Sequence, residues 1–121
     1  MLGIYDEDLA VRCRRLSDAA GQGRSTSRGL VTQYLLRIAV FDNKLRATIT
    51  VNAAALAIAD ERDRERKQGK IRGPLHGIPI ALKDNIQTTD MPTSGGALAF
   101  DGFTPPYEAT LTEWSWIQAA R

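Results

Sequence analysis

Apolar residues recur at helical spacing in three stretches of the chain. Between Tyr5 and Ala20, the residues Leu9, Cys13, Leu16 and Ala20 share one face and charged residues fill the other. Asp6 can cap this helix, Glu7 and Asp8 suit its first turn, and Gly21 and Gly23 end it. Ser25, Thr26 and Ser27 can cap a second helix running to about Phe41. Its stripe is Leu30, Tyr34, Ile38 and Phe41, with Val31 and Leu35 beside it, and Asp42 and Asn43 close it. Asn52 caps a third helix, Ala53 to about Gln68, with Gly69 as its C-terminal stop. The first half of that helix, AAALAIA, is small and apolar. The residues that follow, DERDRERKQGK, alternate in sign and fit a solvated helix face.

Two stretches follow a different pattern. Ala47 to Val51 reads ATITV, an alternation with two threonines that predicts a strand. Gly73 to Asn85 reads GPLHGIPIALKDN, in which a short apolar run, Ile78 to Leu82, is bounded by Gly and Pro. That run predicts a buried strand, with Pro79 near its start or on an edge because proline donates nothing to a ladder. Beyond it, Thr88 to Asp101 is a loop around TSGG, the TPPY of Thr104 to Tyr107 is a stiff connector, and Glu108 to Thr112 begins a further helix.

Composition narrows the function classes. The chain has 121 residues, enough for one small domain, with 43% hydrophobic and 25% charged residues. Its net charge of +2 is too small to argue for nucleic acid or a membrane surface. The charged block from Asp60 to Lys70 interleaves acids with bases, whereas phosphate binding needs an uncompensated basic patch. One cysteine, Cys13, allows no internal disulfide. The first residues, MLGIYDEDLA, do not form a signal peptide, and no apolar run is long enough to cross a bilayer. The expected setting is the cytoplasm, with no membrane or nucleic-acid partner.

Few residues offer chemistry. Lys83 ends the apolar run. Burial there would favour its neutral amine, which is a general base, although the strand can also simply end where the ammonium reaches water. His76 is the single histidine, in a turn-rich approach with no second ligand at metal spacing. A ring hydrogen-bonded to backbone is expected, and no metal or cofactor. Cys13 and Tyr34 lie on apolar stripes and read as core residues. Ser94 lacks the turn of a serine nucleophile and reads as a loop hydroxyl.

The block GPLHGIPIALKDNI, followed by TSGG at Thr93 to Gly96, closely resembles the amidase signature family. The likeness extends upstream through LLRIAVFDNKLRATITVNAAALAIAD and downstream through EATLT, from about Ser25 to Thr112. It implies an α/β fold, a mixed β-sheet core covered by helices. This chain would supply an N-terminal portion with three or four helices and about two strands. It implies amide C–N hydrolysis, or transfer of the ammonia, by a Ser–cis-Ser–Lys triad in which Lys83 is the catalytic base. The substrate would be a small-molecule amide.

The serines of that triad lie beyond these residues, so the chain alone is expected to be inactive. From Glu113 the text EWSWIQAAR departs from the family, which points to a truncated, frame-shifted or alternatively spliced product. The expected organisation is a partial amidase domain over 1–121. Its helices span about 6–68, its lysine-bearing strand and loop about 73–103, and its divergent tail about 113–121. Core surface left uncovered is expected to favour self-association. A non-catalytic binding module that pairs with another polypeptide is the alternative. A small nucleic-acid binder using the region from Arg62 to Arg72 is disfavoured by its balanced charge.

Overall fold

The computed structural model describes residues 6–113, without the side chains of 6–10 and 12–14. The first helix, α1, spans Asp6–Gly21. Its end is fixed by Gln22 N–H donating to the Asp18 carbonyl at 2.9 Å and Arg24 N–H to the Ala19 carbonyl at 2.8 Å. The core role expected of Cys13 concerns a side chain outside the described residues.

Helix α2 spans Ser27–Leu45, four residues longer than the stripe to Phe41 requires. Thr26 is its N-cap, with extended backbone and Oγ1 accepting from Gly29 N–H at 3.0 Å. Asp42 does not stop the helix. Its side chain turns forward instead, and Oδ1 accepts from Ala47 N–H at 3.0 Å and Thr48 N–H at 2.9 Å. Arg46 takes the left-handed C-cap conformation, with φ 47°.

Helix α3 spans Ala55–Lys67. Asn52 does not cap it directly. Asn52 Oδ1 binds Ala54 N–H at 2.8 Å in a turn that feeds the helix, and its Nδ2 reaches Asp90 Oδ2 at 3.1 Å. Helices α2 and α3 pack on each other through the first turn of α2. There the Asp63 carboxylate accepts from Ser27 N–H at 2.7 Å and Arg28 N–H at 3.1 Å, two of the donors that a helix start leaves unpaired. Arg28 also pairs with Asp60. The buried apolar residues at the centre are Ala20, Leu30, Val31, Ala59 and Ile78.

The rest of the chain is turns and extended segments, with a 3-10 turn at Leu98–Phe100 and a short helix, α4, at Thr110–Glu113. Hydrogen bonds fold this region back on itself. Thr93 N–H donates to the Phe103 carbonyl at 2.9 Å. Ala109 N–H donates to the Gln87 carbonyl at 3.0 Å, and the buried Thr112 donates Oγ1–H to the Ala109 carbonyl at 2.7 Å. Glu108 Oε1 accepts from both the amide and the hydroxyl of Thr89.

The expected mixed β-sheet and its two strands do not form: the described residues contain helices and loops and no strand. Each segment fails for a local reason. In 47–51 the first two amides are taken by Asp42 rather than by a neighbouring chain. In 78–82 the Ile78 amide turns back to the Leu75 carbonyl at 3.0 Å, and no extended segment pairs with the residues after it among those described. The apolar pattern reports extended backbone, but a strand also needs a partner to share its ladder. The expected tail beyond Glu113, with Trp114 and Trp116, lies outside the described residues.

Candidate functional site

The GPLHGIP turn is built against one face of α3. His76 is buried, with Nε2 3.0 Å from the Arg62 carbonyl and Nδ1 accepting a long 3.4 Å bond from Arg72 N–H. These partners place the ring proton on Nε2. Arg66 Nη2 donates to the His76 carbonyl at 2.5 Å. Gly77 follows with φ +74°, and a Cβ built there would lie 2.0 Å from Ser27 Oγ and 3.2 Å from Ser27 Cβ. Only glycine fits this close approach between the turn and the start of α2.

Glu65 gathers the surrounding charges. Its carboxylate binds Arg72 in a two-pronged contact, with Nε to Oε2 at 2.9 Å, and also meets Arg62 Nη1 at 3.3 Å. The hydrogen bond from Arg72 holds the Glu65 carboxyl below the usual carboxylate range, against an opposing push from burial; the charges of Arg62 and Arg72 add to the lowering. The same bond raises Arg72.

The block Asp60 to Lys70 is therefore not simply a solvated face. Arg62 is buried, and Glu65 and Arg66 are partly so. The signal was present in the spacing. Ala55, Ala59, Arg62 and Arg66 continue one helical stripe, so the arginines extend the packed face of the apolar half.

Beyond this turn the chain continues without helix or strand to Lys83, which is exposed and has no ion-pair partner within 4 Å among the described residues. The Lys83 carbonyl accepts from Ile86 N–H at 2.8 Å, so Asp84 and Asn85 form a tight turn. The Asp84 carboxylate then reaches across to TSGG. It accepts from Ser94 Oγ at 2.5 Å and from the amides of Ser94 and Gly96 at 3.2 Å, while the Asp84 carbonyl takes the Gly95 amide at 3.2 Å. These bonds, with the Ser94 hydroxyl first, hold the Asp84 carboxyl below its ordinary range.

The structure thus joins two motifs that stand apart in the sequence, KDN and TSGG. Ser94 is a loop hydroxyl as expected, but a committed one. Asp84 carries no role in the sequence reading; its proximity to a Ser-Gly-Gly segment is the available cue. Among the described residues no group of three or more His, Cys, Asp or Glu is placed to hold a metal ion, and no helix is long and apolar enough to cross a membrane.

Comparison with known proteins places this arrangement. The family model described as Amidase matches residues 29–114. A glutamyl-tRNA(Gln) amidotransferase subunit of Chloroflexus aurantiacus is 43% identical over 96 residues, covering 78% of this chain and 20% of that protein. The corresponding protein of Renibacterium salmoninarum is 40% identical over 108 residues, covering 88% and 21%. Among solved structures, the native peptide amidase from Stenotrophomonas maltophilia matches with a TM-score of 0.82 and 45% identity over 89% of this chain and 22% of its own. The chain spans about a fifth of the length of these relatives. The family match covers most of the chain, GPLHGIPIALKDN and TSGG included, and on that ground the chain belongs to the amidase family.

Proposed function

We propose that this chain is the lysine-bearing N-terminal portion of an amidase-family C–N hydrolase, with Lys83 as its general base. The observation that carries the reading is the placement of Lys83. It projects without an ion-pair partner among the described residues, from a turn whose next residue, Asp84, is tied to the Ser-Gly-Gly loop. A base must be free of competing carboxylates, and the Asp84 contacts hold the backbone from which the unpaired Lys83 amine extends, which supports this reading.

In the proposed reaction a serine hydroxyl attacks the carboxamide carbon while its proton passes through a second serine to the Lys83 amine. The C–N bond then breaks and that proton leaves with ammonia. Water adds to the acyl-enzyme, releasing the carboxylate and regenerating the serine. Both serines would come from outside these 121 residues. The exposure of Lys83 also means that the desolvation that favours a neutral amine would have to come from further chain packed over it. The substrate class is a small carboxamide, hydrolysed or used as an ammonia source.

The chain alone should therefore release no ammonia from simple amides. Ammonia measured after incubation with purified chain tests this. Catalytic release that disappears in Lys83→Ala would show that the 121 residues hold a nucleophile of their own, and the reading would fall.

A further inference from the structure

Lys83 and Asp84 are chain neighbours of opposite charge, yet their side chains are not paired: no carboxylate lies within 4 Å of the Lys83 amine among the described residues. Distance along the chain does not keep them apart. Adjacent Cα atoms stand about 3.8 Å from each other, and the flexible four-carbon stem of a lysine reaches further than that. What separates them is where the carboxylate is spent. Ser94 donates to it twice, from Oγ at 2.5 Å and from its amide at 3.2 Å. Gly96 N–H reaches the same carboxylate at 3.2 Å, and Ser94 Oγ accepts from that Gly96 amide at 3.1 Å. One hydroxyl therefore both binds the anion and steers the amide beside it. Each of these donors stabilises the carboxylate away from the lysine.

We propose that Ser94 is a positioning residue for the Lys83 base: by holding the Asp84 carboxylate on the TSGG segment, it keeps that carboxylate from pairing with the Lys83 amine. The inference rests on the reading of Lys83 as a base and names the residue that keeps the base unpaired. A carboxylate paired with an amine favours the ammonium form, and an ammonium has no lone pair with which to accept a proton. Without the Ser94 hydroxyl, Asp84 loses its shortest hydrogen bond and Gly96 loses an acceptor for its amide. An under-solvated anion is then left next to the exposed, unpaired cation at Lys83.

The test reads the Lys83 amine in the full 121-residue chain. Each variant is labelled briefly with acetic anhydride at one fixed pH, and the extent at Lys83 is divided by that at Lys44, Lys67 and Lys70, which are also exposed and serve as internal references. Ser94→Ala should lower the ratio by about 2–5-fold at low salt, the size of an exposed ion pair. The deficit should vanish at about 1 M salt, where such pairs are screened, and in the double variant Asp84→Asn with Ser94→Ala. Asp84→Asn alone breaks the same contact without leaving an anion, so it should not lower the ratio. An unchanged ratio in Ser94→Ala would overturn the inference. So would a fall that persists in high salt or in the double variant, or a fall in Asp84→Asn alone, since loosening of the loop by itself does not depend on the Asp84 charge. No turnover is read. Loss of the base role for Lys83 would thus leave this arrangement standing, whereas an unchanged ratio in Ser94→Ala would remove the arrangement alone.

Discussion

The Asp84 carboxylate lies 2.5 Å from the Ser94 hydroxyl, and through that contact and the amides beside it two stretches ten residues apart become one unit. Lys83 stands at the edge of this unit. A substitution at Asp84 should be felt first at Ser94 to Gly96, not in the helices.

The direction of the Asp84 shift sets a pH dependence. Its folded carboxyl titrates below the ordinary value, so its contribution to the loop is complete above the unfolded value, near about 4, and is lost as pH falls through the lower folded value. Amide chemical shifts of Ser94 and Gly96 should therefore titrate together below about pH 4. In Asp84→Asn that titration should vanish. An unchanged titration in the variant would mean that another group controls the loop.

Gly77→Ala should destabilise the chain by about 1–3 kcal/mol, because the position has positive φ and a methyl group would collide with Ser27. Urea unfolding measures the loss. Gly95→Ala is the comparison: it also has positive φ, but open space surrounds its missing Cβ, so its cost should be the smaller.

His76→Phe should cost about 1–3 kcal/mol even though the ring is apolar and similar in size, because it leaves the Arg62 carbonyl and the Arg72 amide without their buried partner. A neutral result in the same unfolding experiment would mean that His76 fills space only.

The helices were readable because amphipathic spacing and cap residues act locally. The lengths of α1 and α3 follow their stripes to within a few residues, and Thr26 caps α2 from within the Ser25–Ser27 cluster that the sequence marks. The two expected strands do not form because an apolar pattern is local but strand pairing is not. Nothing in ATITV reveals that Asp42 will take its first two amides. The two parts of the candidate site have different sources. Lys83 came from a motif, whereas Asp84–Ser94 and the inward turn of Arg62 and Glu65 depend on contacts between segments that lie apart in sequence. The charged run hid the second of these, since alternating sign resembles a solvated face until its spacing is continued from Ala55 and Ala59.

Asp63→Ala should remove about 1 kcal/mol by stripping the start of α2 of the acceptor for its Ser27 and Arg28 amides. Hydrogen exchange at those two amides should accelerate more than at the middle of α2. Uniform acceleration along the helix would instead indicate that Asp63 supports the whole α2–α3 contact.

The central claim is that Lys83 is the base of an amide hydrolase. The most direct measurement is the turnover of a peptide amide by a chimera of the Stenotrophomonas maltophilia peptide amidase in which residues 27–113 of this chain replace the matching segment, with Lys83 and with Lys83→Ala, at matched folding judged by circular dichroism. The account predicts a fall on the order of 100-fold or more in kcat for the variant. Turnover preserved in Lys83→Ala would contradict it.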